Sequence, residues 1–377
     1  MKKLEARVVF FVLFFLPGLF ASGSHGSKQS HHRTAFFIFG DSLLDAGNNN
    51  YINTTTLDQA NFWPYGETYF NFPTGRFSDG RLISDFIAEY ANLPLIAPFL
   101  QPGNRDYYNG VNFASAGAGA LVQTFQGSVI SLRTQAKYFE KVERRLRKEL
   151  GRREGKQVMS RAVYLFSIGN NDYLSPFLTS PDFLNSFSPS HYVSMVIGNF
   201  TSVVEDIYRR GGRKFGVINC LPLGCLPGTR LLMLNSNAAA NASECFHQLS
   251  RLAILHNRAL SLALSQLSQQ LRGFQYSLYD FHTDLTHRIH HPSKFGLKEG
   301  KTACCGSGPY RGEASCGGRR GKKQFELCEE PNRHLFWDSY HLTEFAYKQS
   351  AAQLWGDHTF KSNTAMPYTL RDLFQRF

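Results

Sequence analysis

The sequence predicts an α/β fold, a three-layer α/β/α arrangement around a five-stranded, mostly parallel, doubly wound sheet. Two observations carry the prediction. Short apolar runs alternate with longer amphipathic stretches, as a parallel sheet with crossover helices requires. The chain of 377 residues is 42% hydrophobic and 19% charged, enough to bury a large core and too apolar for disorder.

The elements follow in order. Strands are expected at Ala35–Phe39, Gly110–Ala114, Ala162–Ile168, Lys214–Asn219 and Gln275–Tyr279. Helices are expected at Leu82–Tyr90, with Ile83, Phe86, Ile87 and Tyr90 on one face, then at Leu132–Leu150, Tyr192–Arg210 and Asn241–Leu271. Gly211-Gly212 ends the third of these, and a last helix spans Thr343–Leu354. Residues 292–334 read as a Cys- and Gly-rich loop insertion. No internal repeat or linker divides the chain, so residues 24–377 read as a single domain. Right-handed crossovers place helices on both faces, and the common 2-1-3-4-5 strand order would put a site beside strands one and three, just after Phe39 and Ile168.

Residues 1–23 read as a signal peptide: Lys2, Lys3 and Arg7 precede the run VVFFVLFFLPGLFA, and Ala21, Ser22 and Gly23 supply small residues for cleavage. A membrane anchor is disfavoured, because the run is short of the roughly 20 residues a spanning helix needs and contains Pro17. A secreted, extracellular chain is therefore expected. The sequons at Asn53, Asn199 and Asn241 fit N-glycosylation on that route. An oxidising compartment favours disulfides among the 7 cysteines, with one left over because the number is odd. Cys304, Cys305, Cys316 and Cys328 are expected to be bridged and to hold the insertion near the site. A zinc site is disfavoured there, since the stretch lacks two CxxC pairs and contains no histidine.

The formal charge of +12 implies contact with anionic surfaces, such as acidic wall polysaccharide or lipid headgroups. Its densest cluster, Lys137 to Arg161, has the spacing of an amphipathic helix with a solvated basic face. Nucleic acid is disfavoured as a partner, because the basic residues form no binding motif and do not interleave with stacking aromatics.

Chemistry concentrates at the ends of the expected strands. After the first, FIFGDSLLDAGNNN places Ser42 where a strand turns into a helix and its hydroxyl faces an open crevice. Alone, Gly-Asp-Ser is better described as a helix cap, with Ser42 capping a helix that starts at Leu43. A serine nucleophile needs a base, and the base needs a carboxylate that fixes its tautomer and stabilises the imidazolium. In FWDSYH, Asp338 and His341 lie within one turn of backbone, although this pair alone is better described as a surface Asp and His near the start of a helix. Oxyanion donors would come from Asn171, in YLFSIGNNDY, and from the Gly117 N–H, in VNFASAGAG, where no Cβ obstructs approach. An ordinary turn and close helix packing are the plain alternatives. The balance shifts because every piece falls at a strand end or after the last strand.

These blocks together resemble the plant GDSL esterase and lipase family of the SGNH hydrolase superfamily, over nearly the whole mature chain. GDSLLDAGNN, NFASAGAG, IGNNDY and FWDSYH match in order and spacing, supported by FPTGRFSDGR, LPLGCLP, LHN, HPSKFGLKEGKTACCG and EEPNRHLFWD. The resemblance implies a flavodoxin-like sheet and hydrolysis of ester or lipid substrates through an acyl-enzyme, with no cofactor and no metal. It implies a nucleophile at Ser42, a base at His341 supported by Asp338, and oxyanion donors at Gly117, Asn171 and the Ser42 N–H. Leu342 stands where the family usually has Pro, and Ala116-Gly117 where it often has Gly-Gly. The G-x-S-x-G elbow of α/β-hydrolases is absent. Two other readings use the same residues: an acyltransferase with the same acyl-enzyme and a site that excludes water, and a catalytically silent wall-binding protein.

Overall fold

A computed structural model describes residues 34–104, 106–179, 186–235, 245–357 and 365–376. The expected signal peptide at residues 1–23 and the sequon at Asn241 lie outside the described residues.

The fold is a three-layer α/β/α sandwich. Its parallel strands are β1 (Phe36–Gly40), β2 (Gly110–Asn112), β3 (Val163–Ser167), β4 (Lys214–Ile218) and β5 (Gln275–Tyr279), in the spatial order β2-β1-β3-β4-β5. Every residue of β1, β3 and β4 is buried, which is why these strands read as continuous apolar runs. Alternation along β1 splits its rings between two layers: Phe37 and Phe39 pack on Phe139, whereas Phe36 packs on Phe374. The first layer holds α2 (Leu132–Arg161), α4 (Pro189–Arg209) and α6 (His247–Gln270); the second holds α1 (Ile83–Tyr90), α8 (Glu344–Trp355) and α9 (Leu370–Gln375).

Several boundaries differ from the sequence expectation. The second strand ends at Asn112, beyond which Phe113 and Ser115 still donate to the Ile38 and Gly40 carbonyls of β1 while Ala114 and Ala116 bond Asn48 and Asp45 of the loop after it. Helix α2 continues to Arg161, through a break where Gly151 adopts φ 81° and ψ 165°. Ion pairs lace its basic face, among them Arg145 with Glu149 at 2.7 Å and Arg144 with Glu140 at 3.6 Å. The fourth expected helix is described from His247. Short helices α3 (Asn170–Thr179), α5 (Pro227–Asn235) and α7 (Phe281–His290) were not expected. A further strand, β10 (Ala365–Pro367), pairs antiparallel with β5 at one edge of the sheet.

The insertion is more ordered than a loop. Strand β6 (Glu299–Ala303) pairs in parallel with β9 (His334–Phe336), and β7 (Cys305–Gly306) pairs antiparallel with β8 (Glu326–Leu327). Disulfides join Cys304 to Cys328 and Cys305 to Cys316, and a third joins Cys225 to Cys245. Cys220 is the leftover cysteine, a buried free thiol. The insertion bridges, Tyr65, Phe77 and Trp337 form a small second core behind the site. Among the described residues no helix is long and apolar enough to cross a membrane.

Candidate active site

Ser42 follows β1 directly. The chain makes a tight turn there, not the helix start expected from sequence, so the capping alternative has no helix to cap. Asp41 shapes the turn: its carbonyl accepts from the Leu44 and Asp45 N–H groups, and its carboxylate accepts from Leu43 at 3.1 Å and from Asn170 Nδ2 at 3.0 Å. Burial pushes the Asp41 carboxyl up to about 6, against the Asn170 and Leu43 bonds and the charge of His341. Gly40 approaches β3 so closely that a Cβ would lie 2.3 Å from the Ser167 carbonyl oxygen, so only glycine brings Ser42 this close to the sheet.

The rest of the GDSLLDAGNN block is a frame. Asp45 accepts from Gly47 and Asn48 at 2.7 Å and from Ala116 at 2.9 Å. Asn48 donates to the Asn112 and Ala114 carbonyls, and Asn49 to those of Asp58 and Ala116. These buried bonds tie the Ser42 loop to the loop carrying Gly117. Gly117 has φ +79°, and a Cβ there would sit 2.6 Å from an Asp58 carboxylate oxygen.

His341 arrives from the other end of the chain. Its Nε2 lies 2.7 Å from Ser42 Oγ, and its Nδ1 lies 2.7 Å from Asp338 Oδ1. Asp338 also accepts from the Tyr340 and His341 N–H groups at 2.9 Å, and from the Tyr65 hydroxyl at 2.7 Å. Burial by itself opposes ionisation of Asp338, but His341, Arg320 and the Tyr340 N–H hold its carboxyl well below the usual range. Phe77 backs the imidazole, with ring centroids 4.6 Å apart. Leu342, where the family usually has Pro, is buried, and Thr343 caps α8 by accepting from Ala346, so the helix starts cleanly without a proline.

Asn171, at the start of α3, donates through Nδ2 to the Ala118 carbonyl at 3.1 Å. Its neighbour Asp172 is buried and accepts from Ala120, Leu121 and Thr124, so it braces the same loop. Ser42, Gly117, Asn171, Asp338 and His341 all line one cavity of about 430 Å³. Leu57, Phe125, Leu174, Leu178, Leu221 and Leu226 give it apolar walls. The arrangement can remove a proton from a hydroxyl beside an apolar pocket. Sequence reasoning gave no role to Asp45, Asn48 and Asn49, although their block beside Ser42 was a signal for them, and it passed over Tyr65 and Arg320 entirely. His334 lies near Cys304 and Cys328, but those sulfurs are joined to each other and offer no thiolate to a metal.

Of the expected glycosylation sites, Asn53 and Asn199 are exposed. Asn199 Nδ2 donates to the Met195 carbonyl within α4.

The model of the GDSL-like lipase/acylhydrolase family matches residues 36–354. GDSL esterase/lipase 5 of Arabidopsis thaliana is 54% identical over 384 residues, covering 100% of this chain and 98% of the relative. GDSL esterase/lipase 1 of the same plant is 52% identical, covering 91% of each chain. A GDSL lipase of Tanacetum cinerariifolium is 46% identical, covering 93% of this chain and 90% of its own. With the match running from the first strand of the sheet to the last turn of α8, the chain belongs to the GDSL-like lipase/acylhydrolase family of ester hydrolases.

Proposed function

We propose that this ester hydrolase cleaves carboxylic esters through an acyl-enzyme on Ser42, with His341 as general base and Asp338 as the carboxylate that orients it. The observation that carries the reading is the unbroken set of contacts from Ser42 Oγ through His341 to Asp338, each 2.7 Å long, at an apolar cavity. His341 Nδ1 donates to Asp338, which leaves Nε2 as the acceptor for the Ser42 proton. As Oγ attacks the ester carbonyl, the imidazolium is stabilised by the carboxylate, and then returns its proton to the departing alcohol. The Ser42 and Gly117 N–H groups and the second Nδ2 proton of Asn171 serve as donors to the oxyanion. Water takes the alcohol's place and the same proton transfers run again to release the acid.

The leucine and phenylalanine walls favour an acyl chain over a charged acid, so the substrate class is a neutral lipid or other acyl ester. We further propose that residues 24–377 form one domain, and that the protein is secreted with glycans on Asn53, Asn199 and Asn241. The leader composition, the disulfides and the exposure of Asn53 and Asn199 support this. A basic surface suits anionic wall polysaccharide or lipid as the setting.

A fluorophosphonate probe tests the reaction. Covalent mass on the Ser42 peptide, lost in Ser42→Ala, is expected; a folded protein that hydrolyses p-nitrophenyl esters without labelling there would remove Ser42 from the role.

A further inference from the structure

We propose that Arg320, carried by the Cys-rich insertion, is a positioning residue for the reaction, acting through Tyr65 on Asp338 and His341; this rests on the catalytic reading above. Arg320 donates to the Tyr65 oxygen at 2.6 Å, and the Tyr65 hydroxyl lies 2.7 Å from Asp338 Oδ2. Chemistry fixes the direction of that chain. A guanidinium only donates, so the phenol oxygen must accept from Arg320, and its single proton is left for Asp338. Burial pushes the Tyr65 phenol well above its ordinary value, and it stays a donor at any working pH.

With this bond in place Asp338 receives donors on both oxygens: His341 Nδ1, the His341 and Tyr340 N–H groups on Oδ1, and Tyr65 on Oδ2. The carboxylate plane is fixed, and with it the ring orientation that aims His341 Nε2 at Ser42. Arg320 is itself held in place. It donates to the Gln59 carbonyl at 2.5 Å and lies 5.2, 5.1 and 5.6 Å from the ring centroids of Phe62, Tyr65 and Phe77. The Cys305–Cys316 bridge ends close before it in sequence, and Gly317 packs against the Phe62 ring. The insertion thus does more than cover the sheet, because it delivers a cation behind the carboxylate of a site built from distant segments.

Arg320 also borders the substrate cavity, so a role in binding an anionic substrate is the rival explanation. Kinetics on a neutral p-nitrophenyl ester separate the two. Tyr65→Phe and Arg320→Met should each lower kcat on the order of 10-fold, with KM within about twofold of wild type. The double variant should fall well short of the product of the two single losses, because Arg320 acts mainly through that hydroxyl and only secondarily through its charge on Asp338. Millimolar guanidinium should restore turnover to Arg320→Ala but not to Tyr65→Phe, a response that general loosening of the fold would not give. Multiplicative losses near 100-fold, a loss confined to KM, or wild-type turnover in Arg320→Met would each overturn the proposal. Ser42→Ala is assayed beside them. If it is dead while Tyr65→Phe and Arg320→Met are fully active, this inference alone fails; if it keeps turnover, the catalytic reading fails and takes the inference with it.

Discussion

Asp45, Asn48 and Asn49 pin the loop that carries Ser42 to the backbone of residues 112–116, using side chains that lie within a few positions of the serine itself. The segment that carries His341 is held by elements from elsewhere: β9 pairs with β6, Tyr65 and Arg320 back Asp338, and the Cys304–Cys328 and Cys305–Cys316 bridges close the small core behind them. One half of the site is fixed by buried hydrogen bonds against the main sheet, the other by covalent staples beside it. The two halves should therefore fail under different insults.

The largest effect is expected where the halves meet. Ser42→Ala and His341→Ala should each cost on the order of 10⁵-fold in kcat with the melting temperature nearly kept, since they remove reacting groups and little packing. A residual rate within tenfold of wild type would break the assignment. Next comes Asn171→Ala, with a loss on the order of 100-fold to 1000-fold, or about 3 to 4 kcal/mol of transition-state stabilisation. Near-normal turnover would retire Asn171 as an oxyanion donor.

The staples follow. Cys305→Ser with Cys316→Ser, or mild reduction, should destabilise the His341 half by about 3 kcal/mol, read as faster proteolysis within residues 299–336. The Ser42 half should sharpen the contrast. Asn48→Ala takes a donor from the Ala114 carbonyl, one of two donors from the Asn112 carbonyl and the acceptor of the Leu100 N–H, and should cost about 2 kcal/mol in urea unfolding, equally with and without reductant. If reductant alone accounted for both losses, the division into halves would be wrong.

The smallest effect concerns His256, buried in α6 against the Tyr173 hydroxyl at 2.8 Å. Burial pushes its imidazole down to about 3 from 6.5. Because the folded value is depressed, the unfolded chain takes up a proton first. Its contribution is intact above pH 6.5 and is lost as pH falls towards about 3. The advantage of wild type over His256→Gln should shrink by about 1 kcal/mol between pH 7 and 5.5 in urea titrations, and a constant difference would contradict it.

The strands of the sheet were legible because buried parallel strands must be continuously apolar, and β1, β3 and β4 are; their order was expected only as the one common to doubly wound sheets, and it is the one found. Ser42, Gly117, Asn171, Asp338 and His341 were legible because each stands at a strand end or in a short motif, and the structure gathers them around one cavity. Tyr65 and Arg320 were not. Their contact joins residues 255 positions apart, and neither sits in a local pattern that marks it. The insertion's small strands escaped for a related reason: two-residue pairings such as β7 with β8 carry no periodicity. α3 was hidden by Pro176 inside it, which reads as a break.

The margins of the sheet have a consequence for life at high local concentration. At one side β10 ends in Pro367, which has no N–H to offer a newcomer, and at the other β2 is three residues long and already bonded by Ala97 and Phe99 through Asn112. A stray peptide searching for a ladder to join finds a missing donor on one flank and an occupied residue on the other, which disfavours zipping of copies through the central sheet.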